Sequence, residues 1–319
     1  MNKEPLLSIC IPTYNREVYL KRLLDSIVSQ KGFSDDIEIV IDDGPSKDNT
    51  QLMVAEYQKK YPNIRYFRNT KAVWMTAAFL ESIDLSKGKY TRLFGSDDFM
   101  TPDALSIVLS VIKEKSPTVL LSNRTSYTEH TNHILPKHPR VHSFAGFVDF
   151  AKFLGQDDPA KYVDKVIYFT FISVFCFETA YYKEMLAYIE KEVSLPDMLK
   201  KDYFNFALVV YANLPKEKTI CVVEDPRLVY VQGWAENHSW HPNKKIPQDF
   251  KFLIDYLIRH YSLEKSAIKF FKRAYLWWWV DCVLIASLRK IKGVNSLVSL
   301  VYENPFFRNV YYKISKMFS

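Results

Sequence analysis

Leu7-Ser8-Ile9-Cys10-Ile11, running into Pro12-Thr13-Tyr14-Asn15-Arg16, and Ile37-Glu38-Ile39-Val40-Ile41, running into Asp42-Asp43-Gly44, decide the fold of this 319-residue chain. Each is a short apolar, β-branched run cut off by polar or turn-forming residues, the signature of a buried strand. Between them Leu20, Leu23, Leu24, Ile27 and Val28 recur at helical spacing. The alternation continues outward. The pattern predicts a helix over 49–61, a strand over 64–67, a helix over 74–85 and a strand over 90–94. Leu105, Val108, Leu109 and Ile112 then mark a helix, and 118–121 a further strand. Strand, helix, strand repeated in this way predicts an α/β fold with a mostly parallel sheet and right-handed crossovers.

Beyond residue 125 the signals are less regular. Residues 163–177 read as a long β-rich run, followed by helical patterns over 180–191 and 196–211 and strands over 219–223 and 227–231. Residues 130–142, with His130, His133, His138 and His142, read as an exposed loop, and these histidines have no metal-ligand spacing. Composition shifts at His241-Pro242.

Composition excludes several classes. With 48% hydrophobic and 25% charged residues the chain is globular, and with only 8 glycines it lacks a Gly-rich phosphate loop of either common type. Cys10, Cys176, Cys221 and Cys282 are scattered and read as reduced core residues of a cytoplasmic protein. The N-terminal apolar run is too short for a signal peptide, and the longest apolar stretch, 275–288, is shorter than a membrane span. Charge is uneven: residues 242–319 hold 14 of the 43 Lys and Arg but 5 of the 36 Asp and Glu. The body is therefore neutral and the tail basic.

In an open parallel sheet ligands bind beyond the carboxyl ends of the strands. Three polar clusters fall there: Pro12-Thr13-Tyr14-Asn15-Arg16, Asp42-Asp43-Gly44, and Gly95-Ser96-Asp97-Asp98. Thr101-Pro102-Asp103 can cap the next helix, which leaves Asp97 and Asp98 uncommitted. Adjacent like charges are best stabilised by a divalent cation, the alternative being a solvated turn. Ser46 or Asp48 can cap the helix after the second cluster, so Asp42 and Asp43 are spare, and a carboxylate there could accept from a nucleobase N–H or a ribose hydroxyl.

Three stretches, Ser8 through Arg16, Ile37 through Thr50 with Asp42-Asp43-Gly44-Pro45-Ser46, and Lys87 through Asp98 with Gly95-Ser96-Asp97-Asp98, closely resemble glycosyltransferase family two. These are inverting GT-A enzymes that use nucleotide sugars, and the likeness covers about the first 125 residues. Later segments resemble abequosyltransferase-like members that build bacterial surface polysaccharide such as O-antigen or capsule. The resemblance implies a GT-A, Rossmann-like fold with a C-terminal helical extension. It implies a nucleotide-sugar-binding half over 1–125, an acceptor-binding half over 126–241 and a basic helical region over 242–319. Pro12, Thr13, Tyr14, Asn15, Arg16, Asp42, Asp43, Ser96 and Asp97 fall to the nucleotide sugar. Asp97 and Asp98 match the D-x-D-type motif, with Asp98 the more direct ligand of Mg²⁺ or Mn²⁺. UDP is the family's commonest carrier. Between Asn69 and Ala78 the Asn and Gly usual after the third strand are missing. The family's general base is an acid opening a helix well after the metal motif. Asp197 in Leu195-Pro196-Asp197 is the choice and Asp202 the reserve. The acceptor implied is a lipid-linked oligosaccharide or a growing polysaccharide.

Two further features stand outside those motifs. His238 could meet a metal or pyrophosphate, and Trp240 could stack on a sugar. In the tail Ile268, Phe271, Tyr275, Trp278, Cys282 and Ile285 form one helical stripe, flanked by Lys265, Lys269, Lys272, Arg273, Arg289, Lys290 and Lys292. With Trp277, Trp278 and Trp279 this suits peripheral attachment to the cytoplasmic face of the inner membrane, ahead of core packing or a homodimer seam. The neutral body disfavours nucleic acid. A sugar nucleotidyltransferase would carry a Gly-rich basic loop that is absent, and a non-catalytic scaffold would have no need of Asp97 and Asp98.

Overall fold

The computed structural model describes residues 4–71, 73, 75–127, 139–156, 162–192, 205–232 and 245–280. They fall into two units. The first takes its described residues from 1–144, 171–201 and 218–232, the second from 145–170, 202–217 and 233–319. The chain thus returns twice to the first unit.

The first unit is built from β1 (Leu7–Thr13), α1 (Glu17–Val28), β2 (Ile37–Asp43), α2 (Thr50–Lys60), β3 (Ile64–Arg68), α3 (Met75–Leu85) and β4 (Tyr90–Leu93). β5 (Asp98–Met100), α4 (Ala104–Lys115), β6 (Val119–Ser122), β7 (Arg124–Tyr127) and β8 (Arg140–Ala145) follow. A 3₁₀ turn at Ile172–Val174, β9 (Phe175–Glu178), α7 (Thr179–Glu192), β10 (Thr219–Asp225) and β11 (Val229–Gln232) complete it. The main sheet runs β3-β2-β1-β4-β9-β6-β10-β8. β1 is parallel to β2 and β4, β2 to β3, and β6 to β10, while β9 runs antiparallel to β4 and β6. A second sheet, β5-β11-β7, lies in the same unit.

The order β2-β1-β4 makes β1 the point where the winding reverses, so a crevice opens past the carboxyl ends of β1, β2 and β4. β1 and β2 are buried on both faces, which explains their continuous apolar runs. One face packs Leu7, Ile9, Ile11, Ile39 and Ile41 against Leu20, Leu24 and Ile27 of α1 and Leu105, Val108 and Ile112 of α4. At the amino-terminal side of the other face, Glu38 is pinned by Ser8 Oγ (2.6 Å), the Lys87 N–H (2.5 Å) and Arg65 Nη1 (3.0 Å). The Thr101-Pro102-Asp103 segment does not cap α4 by a side chain. Gln30 Oε1 accepts the Leu105 N–H at 2.8 Å instead.

The second unit is helical: α5 (Gly146–Gly155), α6 (Tyr162–Thr170), α8 (Asn205–Tyr211), α9 (Lys245–His260) and α10 (Lys265–Val280). Here the expected β-rich run over 163–177 is corrected. Residues 162–170 are helical and only Phe175–Glu178 is a strand. β-branched and aromatic residues favour a strand locally, but this helix buries Val166, Ile167, Tyr168 and Phe169 in an aromatic core, and tertiary packing overrides propensity. Phe147, Phe150, Tyr211 and Phe271 share that core, with Phe169 5.4 Å from Phe271 and 5.0 Å from Tyr211 between ring centres. The stripe expected to face a membrane is taken up here in part. Phe271 is buried and Ile268 and Tyr275 half-buried, while Lys269 and Lys272 stay exposed. Among the described residues no helix is long and apolar enough to cross a membrane. The expected loop over 130–142 likewise ends in structure: Arg140–Ala145 is strand β8, and His142 Nε2 pairs with Glu224 Oε2 at 2.8 Å.

Candidate active site

All three polar clusters lie in the first unit at the carboxyl ends of their strands. In register, Pro12 pairs with Asp42 and Thr13 with Asp43. The Gly44 N–H donates to the Thr13 carbonyl at 2.9 Å, and the Phe94 N–H to the Cys10 carbonyl at 3.0 Å. β1 therefore holds the second and third clusters on either side of the first.

Asp43 is not spare. Its Oδ1 accepts from Ser46 Oγ and its Oδ2 from Tyr66 Oη, each at 2.5 Å, and it is buried. Burial raises its pKa, opposed by those two hydrogen bonds and by Arg68. Asn15 bridges the same loop: its N–H donates to Ser46 Oγ at 2.8 Å and its Oδ1 accepts the Lys47 N–H at 2.7 Å. Asn15 holds a left-handed φ of 52°, a conformation asparagine tolerates better than most residues. The helix-capping carboxylate is Asp48, whose Oδ1 accepts from the Thr50 N–H at 3.1 Å and hydroxyl at 2.6 Å. The Tyr14 ring is exposed and lies on Gly44, where an added Cβ would stand 3.0 Å from Tyr14 Cδ2. This leaves an open aromatic shelf above a hydrogen-bonded loop.

Asp42 points to the opposite face of the sheet. Its Oδ1 accepts from Asn69 Nδ2 at 2.8 Å, and the same amide donates to Glu81 Oε2 on α3 at 3.1 Å. Asp42 Oδ2 and Thr13 Oγ1 are buried without a hydrogen-bond partner. Burial first, then the neighbouring Glu81, push the Asp42 carboxyl up to about 7.

Asp97 and Asp98 close the third side and are likewise committed. Asp97 Oδ2 meets Arg16 Nη1 at 2.6 Å, and its carbonyl accepts from Arg22 Nη2 at 3.0 Å. Asp98 is buried, with Oδ2 accepting from Ser173 Oγ at 2.5 Å. Burial and the charge on Asp97 hold the Asp98 carboxyl well above the usual carboxylate range, against the pull of Ser173, Arg124 and Arg16. A Cβ placed on Gly95 would lie 3.1 Å from Asp97 Oδ1 and 3.3 Å from Asp98 Oδ2. Gly95 thus leaves open the space on which two carboxylate oxygens converge. Hard oxygen donors so placed fit a Mg²⁺ or Mn²⁺ that takes its remaining ligands from phosphate and water. Among the described residues no group of three or more acidic, His or Cys side chains forms a complete metal cage. Ser96 is buried beside the pair.

A family model for glycosyl transferase family 2 matches residues 8–179, more than half of the chain. The chain belongs to glycosyl transferase family 2. Among family relatives, the abequosyltransferase RfbV of Salmonella typhimurium is 39% identical over 120 residues, 37% of this chain and 36% of that protein. The poly(ribitol-phosphate) beta-glucosyltransferase of Bacillus spizizenii is 32% identical over 116 residues, 36% of this chain and 18% of that one. The matched stretch therefore spans about a third or less of those relatives. Residues 1–349 of S. aureus TarS in complex with UDP-GlcNAc share the fold, with a TM-score of 0.62 at 18% identity over 92% of this chain and 79% of that one. The GT-A-like α/β fold expected from the sequence is thereby established.

The sheet brings Pro12, Thr13, Tyr14, Asn15, Arg16, Asp43, Ser96, Asp97 and Asp98 to one end, with Asp42 on its α3 side. Asp197, Asp202, His238 and Trp240 lie outside the described residues, as does the tail beyond Val280. Sequence reasoning missed Tyr66, Asn69, Glu81 and Ser173. Asn69 stood in a stretch noted only for what it lacked. Ser173 is 75 residues from its partner Asp98, and no local pattern marks it.

Proposed function

We propose that this family 2 member is an inverting glycosyltransferase that moves a sugar from a nucleotide donor, UDP-linked in the simplest case, to a hydroxyl of a lipid-linked or growing bacterial surface glycan. The observation that carries the reading is the convergence of Asp97 Oδ1 and Asp98 Oδ2 on the gap at Gly95, at the same sheet end as the exposed Tyr14 shelf. A base stacks on Tyr14 and Asp43 anchors the loop beneath it. Asp97 and Asp98 hold Mg²⁺ or Mn²⁺. That cation, when bound, offsets the charge that builds on the departing diphosphate. The names of relatives support the acceptor class. One 31% identical over 111 residues is the GalNAc(5)-diNAcBac-PP-undecaprenol beta-1,3-glucosyltransferase of Campylobacter jejuni. The UDP-GlcNAc complex of TarS supports a UDP-sugar donor.

In the displacement the acceptor oxygen bonds to the anomeric carbon as the bond to the diphosphate oxygen breaks. The hydroxyl proton passes to a carboxylate. Asp197 and Asp202 are the candidates. Asp197 is the first choice and Asp202 the reserve. The basic tail, with exposed Lys269 and Lys272, serves peripheral attachment to the cytoplasmic membrane face, where a lipid-linked acceptor resides.

The test is a panel of nucleotide sugars read by thermal shift and by donor hydrolysis, with and without Mn²⁺. A metal-dependent response to at least one donor is expected. A folded protein that responds to none refutes the reading.

A further inference from the structure

Arg92 places a guanidinium in the first unit's core. It sits on β4, is fully buried, and among the described residues bonds to no carboxylate. Its Nε and Nη1 have no hydrogen-bond partner. Burial lowers its pKa to about 10, so it remains charged at neutral pH. An unpaired buried cation is strongly unfavourable, and its polar contacts are few. Nη2 donates to Ser122 Oγ at 3.1 Å and to the carbonyl of Ser173 at 3.3 Å.

Ser173, in the 3₁₀ turn and itself fully buried, is the link to the site. Its hydroxyl accepts the Gly95 N–H at 2.9 Å and donates to Asp98 Oδ2 at 2.5 Å. A hydroxyl has one proton to give. With the Gly95 N–H on a lone pair, that proton is aimed at Asp98. A hydrogen bond this short, from a hydroxyl held on its other side by the Gly95 N–H, fixes the rotamer of the Asp98 carboxyl.

We infer that Ser173, clamped through its carbonyl by Arg92, is the positioning residue that fixes Asp98 for divalent-cation binding, holding Oδ2 toward the gap at Gly95. This rests on the reading of Asp98 as a metal ligand. Partners of this kind hold a ligand in place, and their loss weakens metal affinity by about 10- to 100-fold.

The experiment is a titration of Mn²⁺ alone, followed by electron paramagnetic resonance, on the full chain as wild type, Ser173→Ala and Ser173→Cys. Melting curves confirm that each is folded at the assay temperature. Ser173→Ala is expected to weaken Mn²⁺ binding about 10-fold, and Ser173→Cys, a weaker donor of similar volume, by an intermediate factor. If Ser173→Ala does not fold, Ser173→Cys carries the test. Wild-type affinity in a folded variant overturns the positioning role alone. No Mn²⁺ binding by the wild type overturns both this inference and the metal assignment beneath it.

Discussion

Arg16 Nη1 lies 2.6 Å from Asp97 Oδ2, with both side chains about two-thirds buried. A guanidinium therefore stands where a divalent cation bound to Asp97 would draw on the same carboxylate. Ion pairs about a third exposed to water contribute about 1 kcal/mol, so the competition is modest. Arg16→Ala is expected to tighten Mn²⁺ binding measured without nucleotide by up to about fivefold, and to weaken donor binding by a similar factor or more. Isothermal titration of each ligand separates the two effects. Looser Mn²⁺ binding in the variant would show that Arg16 supports the cation site and does not compete for it.

Asp98→Asn keeps the shape of the side chain and an oxygen to accept from Ser173 Oγ, but removes the charge. Transfer should fall by about two orders of magnitude or more, the scale seen when a preorganised electrostatic contact is lost. The melting temperature should not fall, because the wild-type carboxylate is buried and its charged form disfavoured. A variant that turns over at near wild-type rate would remove Asp98 from the chemistry.

Asp42 makes stability depend on pH. Its carboxyl is pushed up to about 7 in the folded protein, against an ordinary value near 3.9 in an unfolded chain. Between those limits the folded state holds a proton that the unfolded state has lost. Stability from this group is thus greatest at low pH and falls as pH rises toward 7, by about 1.4 kcal/mol per pH unit at most. Asp42→Asn removes the penalty. Its melting temperature should exceed that of the wild type most at pH 8, with the difference shrinking by pH 5. A difference that does not change with pH would mean Asp42 ionises normally.

The Glu38 cluster at the other end of the sheet is structural. A carboxylate 3% exposed accepts from Ser8, Lys87 and Arg65 at once. Glu38→Ala leaves those donors unsatisfied, at a cost of about 2–4 kcal/mol. Calorimetry should show the melting temperature lowered by roughly 5 °C or more, while nucleotide affinity at 20 °C stays within twofold. A large loss of nucleotide affinity would connect this end of the sheet to the site.

The parallel core was legible because both faces of β1 and β2 are buried, which writes continuous apolar runs into the sequence. The strand-end clusters were legible because Pro12 through Arg16, Asp42-Asp43 and Asp97-Asp98 are local motifs. Their partners were not. Tyr66 and Ser173 reach Asp43 and Asp98 only through the crossing of distant strands. Asp97 and Asp98 read as uncommitted because Arg16 and Ser173 lie far from them in sequence. The helix Tyr162–Thr170 was read as strand because its residues suit a pleated surface, and only the Phe150, Tyr211 and Phe271 rings around it decide otherwise.

The tail combines a core function with an exposed basic face, and the two separate by substitution. Phe271 is buried against Phe147 and Phe169. Phe271→Ala should destabilise the second unit by about 3–4 kcal/mol, the range for emptying an aromatic site in a core. Lys269 and Lys272 are exposed on the same helix. Replacing both by Glu should leave melting unchanged and reduce flotation with vesicles of phosphatidylglycerol, since each basic residue near an anionic surface contributes about 1 kcal/mol. The double charge reversal is therefore expected to weaken vesicle binding by at least tenfold at 0.1 M salt. Flotation that is equal for both proteins would leave α10 as a core helix alone and place any membrane contact elsewhere in the chain.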